Sequence, residues 1–314
     1  MADKIFIGID TSNYTTSCAI SDFDGKILEN FKILLPVKEG ERGLRQSEAV
    51  FAHIKNLQLI SELVKEKIND CEIVAIGYSA FPRDTEGSYM PCFLVGEAIA
   101  KMLSAFCNAP IYRFSHQSGH IRAAVYSSAV KLDNEDFIAF HVSGGTTEIV
   151  NVKHDDKYYK IDIIGGSNDL HAGQAIDRIG VYMGMKFPCG KEMEEYAKKN
   201  TEKIPGYSIS VKDYSCNLSG LENLALNLYK KTGNKELTSA FVFDFLSKVI
   251  EKITLNLRKE YPTKKIIYGG GVLSNSIIKS RLSEKFNGVY FAEPQFSSDN
   301  AAGIALLARD KHIK

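Results

Sequence analysis

The sequence predicts an α/β protein of two similar lobes, each built on a mixed β-sheet that helices flank. Three observations lead to this fold class. The chain has 314 residues, about twice the length of a typical domain. One order of elements occurs twice, beginning near residues 4 and 136. Behind each repeat, apolar runs of strand length alternate with longer segments of helical periodicity, which is typical of α/β folds.

The first half opens with a strand of the buried type over 4–9, which the polar residues Asp10, Thr11 and Ser12 follow. A second β-rich run, an acidic turn and a third strand come next. The predicted elements, in order, are strands over 4–9, 15–20 and 27–35, a helix over 47–69, a strand over 72–80, a helix near 95–107 and a strand over 110–115.

The second half repeats this order. An apolar run over 136–142 leads into the small polar residues of a hairpin, a strand, a turn at His154, Asp155 and Asp156, and another strand. The elements that follow are a helix over 236–260, a strand over 265–271, a helix from Ser274, a strand over 288–293 and a helix over about 299–311. The stretches 81–94 and 184–219 show little periodicity, so we interpret them as functional loops.

The domain boundaries follow from the repeat. We expect a first lobe over 1–125 and a second lobe, with a helical insertion, over 126–298. The last helix, 299–314, is expected to pack back on the first lobe.

Composition excludes several classes of protein. Hydrophobic residues make up 44% and charged residues 25% of the chain, as in folded globular proteins rather than disordered or coiled-coil ones. The net charge of +1 gives no overall basic footprint for nucleic acid, although a local basic patch stays open. No uninterrupted apolar run reaches the roughly 18 residues of a membrane helix, so we expect no membrane association. Six scattered cysteines without a CxxC pair predict reduced thiols and a cytoplasmic location.

Each half contains a hairpin of small hydroxyl residues between buried strands. The first includes Ser12, and the second includes Ser143, Gly144, Gly145 and Thr146. Small residues let a backbone approach a ligand, and hydroxyl and main-chain N–H groups bind phosphate oxygens. Two such hairpins predict a nucleotide clamp, and ordinary tight turns are the alternative.

A pair of histidines, His116 and His120, is the sharpest chemical signal. Residues four apart lie on one face of a helix, so two imidazoles can share a metal ion. No Glu lies within the pair, which argues against the HExxH of zinc proteases. His141 at a strand end and Asp299 before the last helix are candidate further ligands, although Asp299 could instead be an N-cap. Such a set suits zinc or a transition metal better than magnesium.

A glycine run over 269–271 follows a strand and opens a helix near Asn275. Glycines there let a flat ligand such as adenosine approach the backbone, and a helix N-terminus favours phosphate. The run fits neither the Rossmann nor the Walker pattern, and a tight turn is the alternative. Asp177 on a predicted helix could bind a ribose hydroxyl or a metal-bound water, or it could be an exposed residue that pairs with a neighbouring Lys or Arg. Gly190 and Glu194 are weaker candidates.

The motifs together resemble a known family. They occur in the order IGIDTS, HxxxH, HVSGGTTEIV, AGQAIDR, FPCG, CNLSG, IIYGGGVLSN and SSDNAAGIA. From about residue 4 to 308, the chain resembles the TsaD family, also called Gcp or glycoprotease-like. That family belongs to the superfamily of actin, heat-shock chaperone and sugar-kinase ATPases. The resemblance implies two actin-like, ribonuclease H-like lobes with a nucleotide cleft between them.

The resemblance also implies an activity and a site. Such enzymes transfer a threonylcarbamoyl group from threonylcarbamoyl-AMP to N6 of the tRNA adenosine next to the anticodon. His116, His120 and Asp299 match the family's metal ligands, and His141 falls where some members have a tyrosine that reaches the metal. One divalent ion, iron or zinc, is therefore expected. The positions that match those holding the adenylate, or ATP or AMP, are His141, Val142, Ser143, Gly144, Gly145, Thr146, Asp177, Gly190, Glu194, Gly269, Gly270, Asn275 and Ser12.

The chain departs from the family pattern at four places. The family's TSCDET is Thr11–Thr16 here and lacks both acidic residues, and its GPG loop is replaced by residues 81–87. AGEAFD becomes AGQAID, and PGG becomes Pro188-Cys189-Gly190. Two alternatives therefore stay open. One is a diverged paralogue that acts as a small-molecule carbamoyltransferase or a sugar-kinase-like phosphotransferase, and the other is a non-catalytic scaffold subunit.

Partners are implied by the resemblance as well. Family members work with tRNA and with other subunits, either a paralogous TsaB-like subunit and a small ATPase or a kinase-linked complex. A chain of net charge +1 is a weak tRNA binder by itself, because phosphate contacts dominate affinity. We therefore expect tRNA to be shared with a complex, and an exposed apolar helical face to bind the partner.

Overall fold

The computed structural model of the protein describes residues 2–12, 14–36, 44–132, 134–155 and 158–314. Asn13 and Asp156 of the predicted turns lie outside the described residues, as does the side chain of Asp155. By their contacts the residues form two units. Unit 1 comprises Met1–Ser127, Asp155–Tyr159 and Ser298–Lys314, and unit 2 comprises Ser128–His154 and Lys160–Ser297.

Unit 1 contains a five-stranded mixed sheet in the order β3-β2-β1-β4-β5. Its strands are β1 (Asp3–Ser12), β2 (Thr15–Asp22), β3 (Ile27–Leu34), β4 (Cys71–Phe81) and β5 (Ile111–Ser115). β1 pairs antiparallel with β2 and parallel with β4, and β5 lies parallel to β4. The carboxyl ends of β1, β4 and β5 therefore meet at one edge, where ligands commonly bind in α/β folds.

A second sheet, most of whose residues lie in unit 2, has seven strands in the order β12-β11-β6-β7-β8-β10-β9. They are β6 (Phe137–Val142), β7 (Thr147–Asp155), β8 (Tyr158–Ser167), β9 (Ser210–Lys212), β10 (Ser215–Asn217), β11 (Ile266–Gly269) and β12 (Val289–Phe291). β6 pairs antiparallel with β7 and parallel with β11. This order, β8-β7-β6-β11-β12, repeats that of unit 1, so the repeat and the α/β fold class predicted from the sequence are confirmed.

Most of the helices lie where the periodicity of the sequence predicts them. They are α1 (Gln46–Lys67), α2 (Phe93–Cys107), α3 (His116–Ser127), α4 (Ala172–Tyr182), α5 (Gly190–Lys199), α6 (Ser219–Thr232), α7 (Lys235–Glu260), α8 (Ser276–Lys285), α9 (Pro294–Ser297) and α10 (Ala302–Ile313). None of them, within the described part of the chain, combines the length and apolar character that a bilayer crossing needs.

Helices cover both faces of the unit 1 sheet. A side chain at Gly8 would collide with the backbone of α10 at Ala305, so α10 packs closely on the face that Gly8 and Asp10 share. On the opposite face, Thr11 Oγ1 accepts from the N–H of Gly96 in α2. Asp10 is thereby directed toward the side of the sheet that α10 covers, because successive side chains of a strand alternate between faces.

The prediction of a functional loop over 184–219 is wrong in part, because α5, β9 and β10 lie within it. α5 begins after the Phe187-Pro188 turn, and its apolar positions Met193 and Ala197, four apart, are buried. Such a short amphipathic stretch lies below the length at which periodicity is persuasive. The segment between β4 and α2, by contrast, contains no helix or strand.

Two helices begin later than expected. α8 begins at Ser276 rather than Ser274, because Asn275 is its N-cap and accepts from the N–H groups of Ile277 and Ile278. α10 begins at Ala302 rather than at 299, and the N–H of Ala302 donates to Asn300 Oδ1.

Candidate functional site

The two predicted metal-binding histidines lie on a helix, and that helix starts directly after a strand. β5 ends at Ser115, and α3 begins at His116 without a connecting loop. His116 and His120 are one turn apart, with ring centroids separated by 4.3 Å. Asp299 comes from the turn before α10, which packs against α3, and it faces the same point.

The ligand atoms of these residues form a compact triangle. His116 Nε2 and His120 Nε2 are 2.9 Å apart, and Asp299 Oδ1 lies 3.2 Å from His120 Nε2 and 3.6 Å from His116 Nε2. Metal–ligand bonds of about 2.0–2.2 Å separate neighbouring ligand atoms by about 3.0–3.5 Å. The triangle therefore has the dimensions of one face of a coordination sphere, and the donor set suits zinc or iron.

Asp299 is not the N-cap that the alternative interpretation suggested. The neighbouring Asn300 forms the bond to Ala302 N, at 3.0 Å. The carboxylate of Asp299 is thus directed to the two imidazoles instead.

The sequence did not identify Asp10 and Ser79, which lie next to the ligand triangle. The carboxylate of Asp10, near the carboxyl end of β1, accepts from His116 Nδ1 at 2.7 Å and from the Ser79 hydroxyl of β4. Asp10 is 1% exposed. Polar residues at the carboxyl ends of adjacent parallel strands were the available signal, but it becomes specific only once β1, β4 and β5 are known to be neighbours.

The electrostatics of this cluster favour a cation. Burial alone would lower the pKa of His116, but the Asp10 and Asp299 carboxylates outweigh burial and raise it to about 10. Burial alone would raise the pKa of Asp299, but hydrogen bonds and charge attraction from His116 and His120 hold it well below its usual range. Burial alone would also raise the pKa of Asp10, but His116 and the Ser79 hydroxyl lower it, so both carboxylates are ionised beside the imidazoles.

The loop that replaces the family's GPG supports the start of α3. Asp84 Oδ2 accepts from the hydroxyls of Ser115 and Ser118 at 2.6 and 2.9 Å, and the N–H of Gln117 donates to the carbonyl of Pro82. A carboxylate at a helix N-terminus also interacts favourably with the helix dipole. The altered loop therefore holds the helix that carries both histidines.

The second predicted hairpin lies at the carboxyl end of β6 in unit 2. The N–H of Ser143 donates to the carbonyl of Thr146 at 2.8 Å, and the N–H of Gly173 in α4 donates to the carbonyl of Ser143 at 3.2 Å. A Cβ at Gly144 or Gly145 would meet no atom of the described residues within 4 Å. A hydrogen bond from α4 thus holds the hairpin at Ser143, while the space beside Gly144 and Gly145 is free of atoms of the described residues.

The glycine run lies directly beside this hairpin, because Gly269 of β11 is in register with His141 of β6. Gly270 has a φ of +99°, and a Cβ there would lie 2.2 Å from the carbonyl oxygen of Val142. Packing against β6 therefore requires glycine at this position, and Gly271 next to it is open to a ligand.

Two of the predicted polar residues lie at the start of α8, and a third, Asp177, lies at the start of α5. Asn275 is 5% exposed, and its Nδ2 has no hydrogen-bond partner among the residues that the structure describes. Glu194 Oε1 accepts from the N–H of Ser276 at 3.0 Å and from Lys198 Nζ at 3.0 Å. Asp177 Oδ1 accepts from the N–H of Cys189 at 2.8 Å, and burial raises the pKa of Asp177 despite this bond.

The structure does not bring all the predicted residues into one cluster. His141 lies on β6 in unit 2, is 8% exposed and is not one of the three residues of the triangle, so its role as a further ligand stays a prediction. Ser12, at the end of β1 in unit 1, is 3% exposed, and its N–H donates to Asp10 Oδ1.

Comparisons with known proteins agree with these motifs. The family model TsaD, described as tRNA N6-adenosine threonylcarbamoyltransferase, matches residues 34–306. A protein of that name from Streptococcus suis (strain 05ZYH33) is 27% identical over 325 residues, covering 100% of this chain and 94% of the relative. One from Lactobacillus acidophilus is 28% identical over 331 residues, covering 98% of this chain and 90% of the relative.

Solved structures support the fold alone. Full-length HypF in its phosphate- and nucleotide-bound form has a TM-score of 0.63 at 13% identity, covering 99% of this chain and 46% of HypF. A ROK family glucokinase from Streptomyces griseus has a TM-score of 0.53 at 13% identity, covering 97% and 98% of the two chains. These neighbours have the actin-like fold.

Proposed function

The chain belongs to the TsaD family of tRNA N6-adenosine threonylcarbamoyltransferases, and from this premise we propose that it forms N6-threonylcarbamoyladenosine in tRNA. The donor is threonylcarbamoyl-AMP, and the acceptor is N6 of the adenosine beside the anticodon. The observation that carries the proposal is the convergence of His116, His120 and Asp299. Full-length coverage of relatives that bear this name supports it at the family level.

His116, His120 and Asp299 would hold one divalent ion, and iron or zinc suits two imidazoles and a carboxylate. Such an ion is a Lewis acid that stabilises negative charge on phosphate or carbonyl oxygens. The residues themselves fit this task, since their ligand atoms already lie at coordination distances from one another. Binding would displace the proton that His116 otherwise carries, while the side chains already lie close to one another.

The adenylate would be bound by residues of unit 2. Main-chain N–H groups at Gly144 and Gly145 are suited to phosphate, because the hairpin is open there. The Nδ2 of Asn275 is a buried donor that a ribose hydroxyl can satisfy, and a buried polar group without a partner is costly. Glu194 on α5 is an acceptor next to Asn275, since it binds Ser276 N. Asp177 on α4 is a second proposed acceptor, and Gly271 leaves room for a base.

The reaction exchanges a carbon–oxygen bond for a carbon–nitrogen bond. N6 of the adenosine attacks the carbamoyl carbon of the mixed anhydride, the bond from that carbon to the phosphate oxygen breaks and AMP leaves, and the proton that N6 loses passes to water. An anticodon loop presents its bases unpaired, so the acceptor is accessible without opening a duplex. The contribution of the chain is to bind and orient the donor.

A partner subunit is part of the proposal, because the chain is nearly neutral. α1 and α2 of unit 1 contact each other and expose large apolar residues at helical spacing. These include Phe51, Leu59 and Leu63 on α1 and Ile99, Met102 and Phe106 on α2. Exposed apolar residues on neighbouring helices favour an interaction surface, and a related subunit of similar fold is the occupant we propose.

The test follows the modified nucleoside. The full chain, loaded with zinc or iron, is incubated with threonylcarbamoyl-AMP and tRNA, alone and with candidate partner subunits, and both AMP release and threonylcarbamoyladenosine are measured. We expect His116→Ala to lose at least about tenfold in metal affinity and in turnover. His312→Ala, a histidine exposed near the end of α10, is the matched control and should behave as the wild type.

Two outcomes would contradict the proposal. Full metal content and full AMP release in His116→Ala would show that the metal assignment is wrong. Tight adenine nucleotide binding without transfer to tRNA, even with partners, would favour a small-molecule transferase or a scaffold subunit.

A further inference from the structure

We propose that Asp10 is a positioning residue for the metal ligand His116, whose imidazole it orients by binding Nδ1. The inference rests on the proposed function, because it requires that His116, His120 and Asp299 bind a divalent ion. Asp10 does not belong to the ligand triangle, and it would act through the histidine alone.

The geometry of the imidazole supports this role. Asp10 Oδ2 lies 2.7 Å from His116 Nδ1, while Nε2 of the same ring lies 2.9 Å from His120 Nε2. The ring therefore spans from the carboxylate to the ligand triangle. An N–H at Nδ1 that donates to the carboxylate leaves the lone pair at Nε2, which is the nitrogen that faces the other ligands.

Asp10 is itself held firmly. Its Oδ1 accepts from the N–H of Ser12 at 2.9 Å, and its Oδ2 also accepts from the hydroxyl of Ser79. Ser79 is fully buried, and it lies next to Asp10 because β1 and β4 pair in parallel up to Ile9 and Tyr78. Contacts from β1 and β4 thus hold the carboxylate in place independently of the histidine.

The burial of Asp10 gives a second argument. A carboxylate that is 1% exposed is costly unless a charged or hydrogen-bonding partner compensates it. Beside the donors of Ser12 and Ser79, the ring N–H of His116 compensates the carboxylate, at 2.7 Å. This bond needs no charge on the imidazole, so it persists when Nε2 binds a metal ion.

The experiment measures zinc affinity by competition with a chromophoric chelator for the wild type and for Asp10→Asn, Asp10→Glu, Ser79→Ala and Ser17→Ala. We expect Asp10→Asn to lose about 10–100-fold in affinity, because the amide is a much weaker acceptor for the Nδ1 proton. Asp10→Glu restores the charge and should recover part of the loss. Ser79→Ala should weaken binding less than Asp10→Asn does, and it stays informative should Asp10→Asn fail to fold.

Ser17→Ala is the matched control. Ser17 is fully buried, lies opposite Asp10 in the register of β1 and β2, and donates to the Asp10 backbone carbonyl at 3.4 Å, but it does not touch the carboxylate. Its affinity should stay within about threefold of the wild type. Nitrogen-15 spectra of zinc-loaded protein should show His116 protonated at Nδ1, with that signal altered in Asp10→Asn.

The results separate this inference from the proposed function. If His116→Ala loses zinc while Asp10→Asn binds it within twofold of the wild type, the positioning role is wrong and the metal site stands. An equal loss in Ser17→Ala would also overturn it, since any disturbance of the strand would then suffice. If the wild type binds neither zinc nor iron, both the metal site and the inference fail.

Discussion

Carboxylates in this protein have different tasks because their partners differ. Asp10 binds an imidazole, and Asp299 binds two. Burial alone would raise the pKa of Asp169, but hydrogen bonds from the Ser219 side chain, from the N–H groups of Leu218 and Ser219 at the start of α6 and from that of Leu170 lower it to about 2. A carboxylate in this sequence can therefore be assigned a function only from its contacts.

Asn275 combines two functions that a substitution can separate. Its Oδ1 caps α8, and its Nδ2 is the proposed donor to the adenylate. Asn275→Asp keeps the cap and removes the donor, so we expect weaker binding of an AMP analogue in calorimetry with an unchanged melting temperature. Asn275→Ala should lose both, with about 1 kcal/mol of stability. Unchanged nucleotide affinity in both variants would remove Asn275 from the site.

His53 of α1 predicts an acid sensitivity. It is fully buried, Nδ1 lies 2.8 Å from Thr16 Oγ1, and burial lowers its pKa to about 4 although the Asp10 charge opposes the shift. The unfolded chain takes up this proton below about pH 6.5, whereas the folded protein does so only near pH 4. The free energy of unfolding should therefore fall as the pH drops through this window.

The expected loss between pH 7 and pH 5 is about 2 kcal/mol, measured by urea unfolding. His53→Gln provides the comparison, since glutamine cannot titrate in this range. A pH slope in this variant as steep as that of the wild type would assign the acid sensitivity to other groups.

At the scale of elements, close contact between α3 and α10 brings the proposed metal ligands together. A Cβ at Gly303 of α10 would lie 1.8 Å from the carbonyl oxygen of Gly119 in α3. The two helices approach through glycines on both sides, and α3 carries His116 and His120 while Asp299 precedes α10. The spacing of these helices therefore sets the size of the ligand triangle.

Gly303→Ala should separate these helices. We expect a loss of at least about 2 kcal/mol in stability from overpacking, together with weaker zinc binding, measured by denaturation and metal competition. Gly220→Ala is the matched helical control in α6, where a Cβ meets no described atom within 4 Å, and it should be neutral or slightly stabilising. Equal behaviour of the two variants would show that the contact is not tight.

At the scale of the whole molecule, the same strand order occurs in both sheets, but only unit 1 holds the ligand triangle. The chain returns to unit 1 at Ser298, so ligands 179 positions apart in sequence meet there. The glycine-rich hairpin and the residues around α8 belong to unit 2.

Hydrogen exchange should report this division. Zinc binding should slow exchange in β1, α3 and the first turns of α10, because binding stabilises the native state of the structure that holds the ion. α7 in unit 2 should change little. His116→Ala should show no zinc-dependent protection. Protection confined to α7 would place the ion elsewhere.

The sequence by itself determined the fold class, most strands and helices, and the pair of histidines, because these depend on spacings of a few residues. Continuous apolar runs predict β1 and β6, helical periodicity predicts α1 and α7, and a spacing of four places His116 beside His120. The resemblance of the motifs added the family. α5 was missed since its apolar stripe is short.

Only the tertiary structure decided which distant residues meet. Asp10, Ser79 and His116 lie at the ends of three strands, and nothing in their separations along the chain shows that these strands are adjacent. That Asp299 faces His116 and His120 rather than capping α10 likewise depended on the packing of α10 against α3. Parallel pairing and helix packing join residues far apart in sequence, so such contacts leave no local pattern to read.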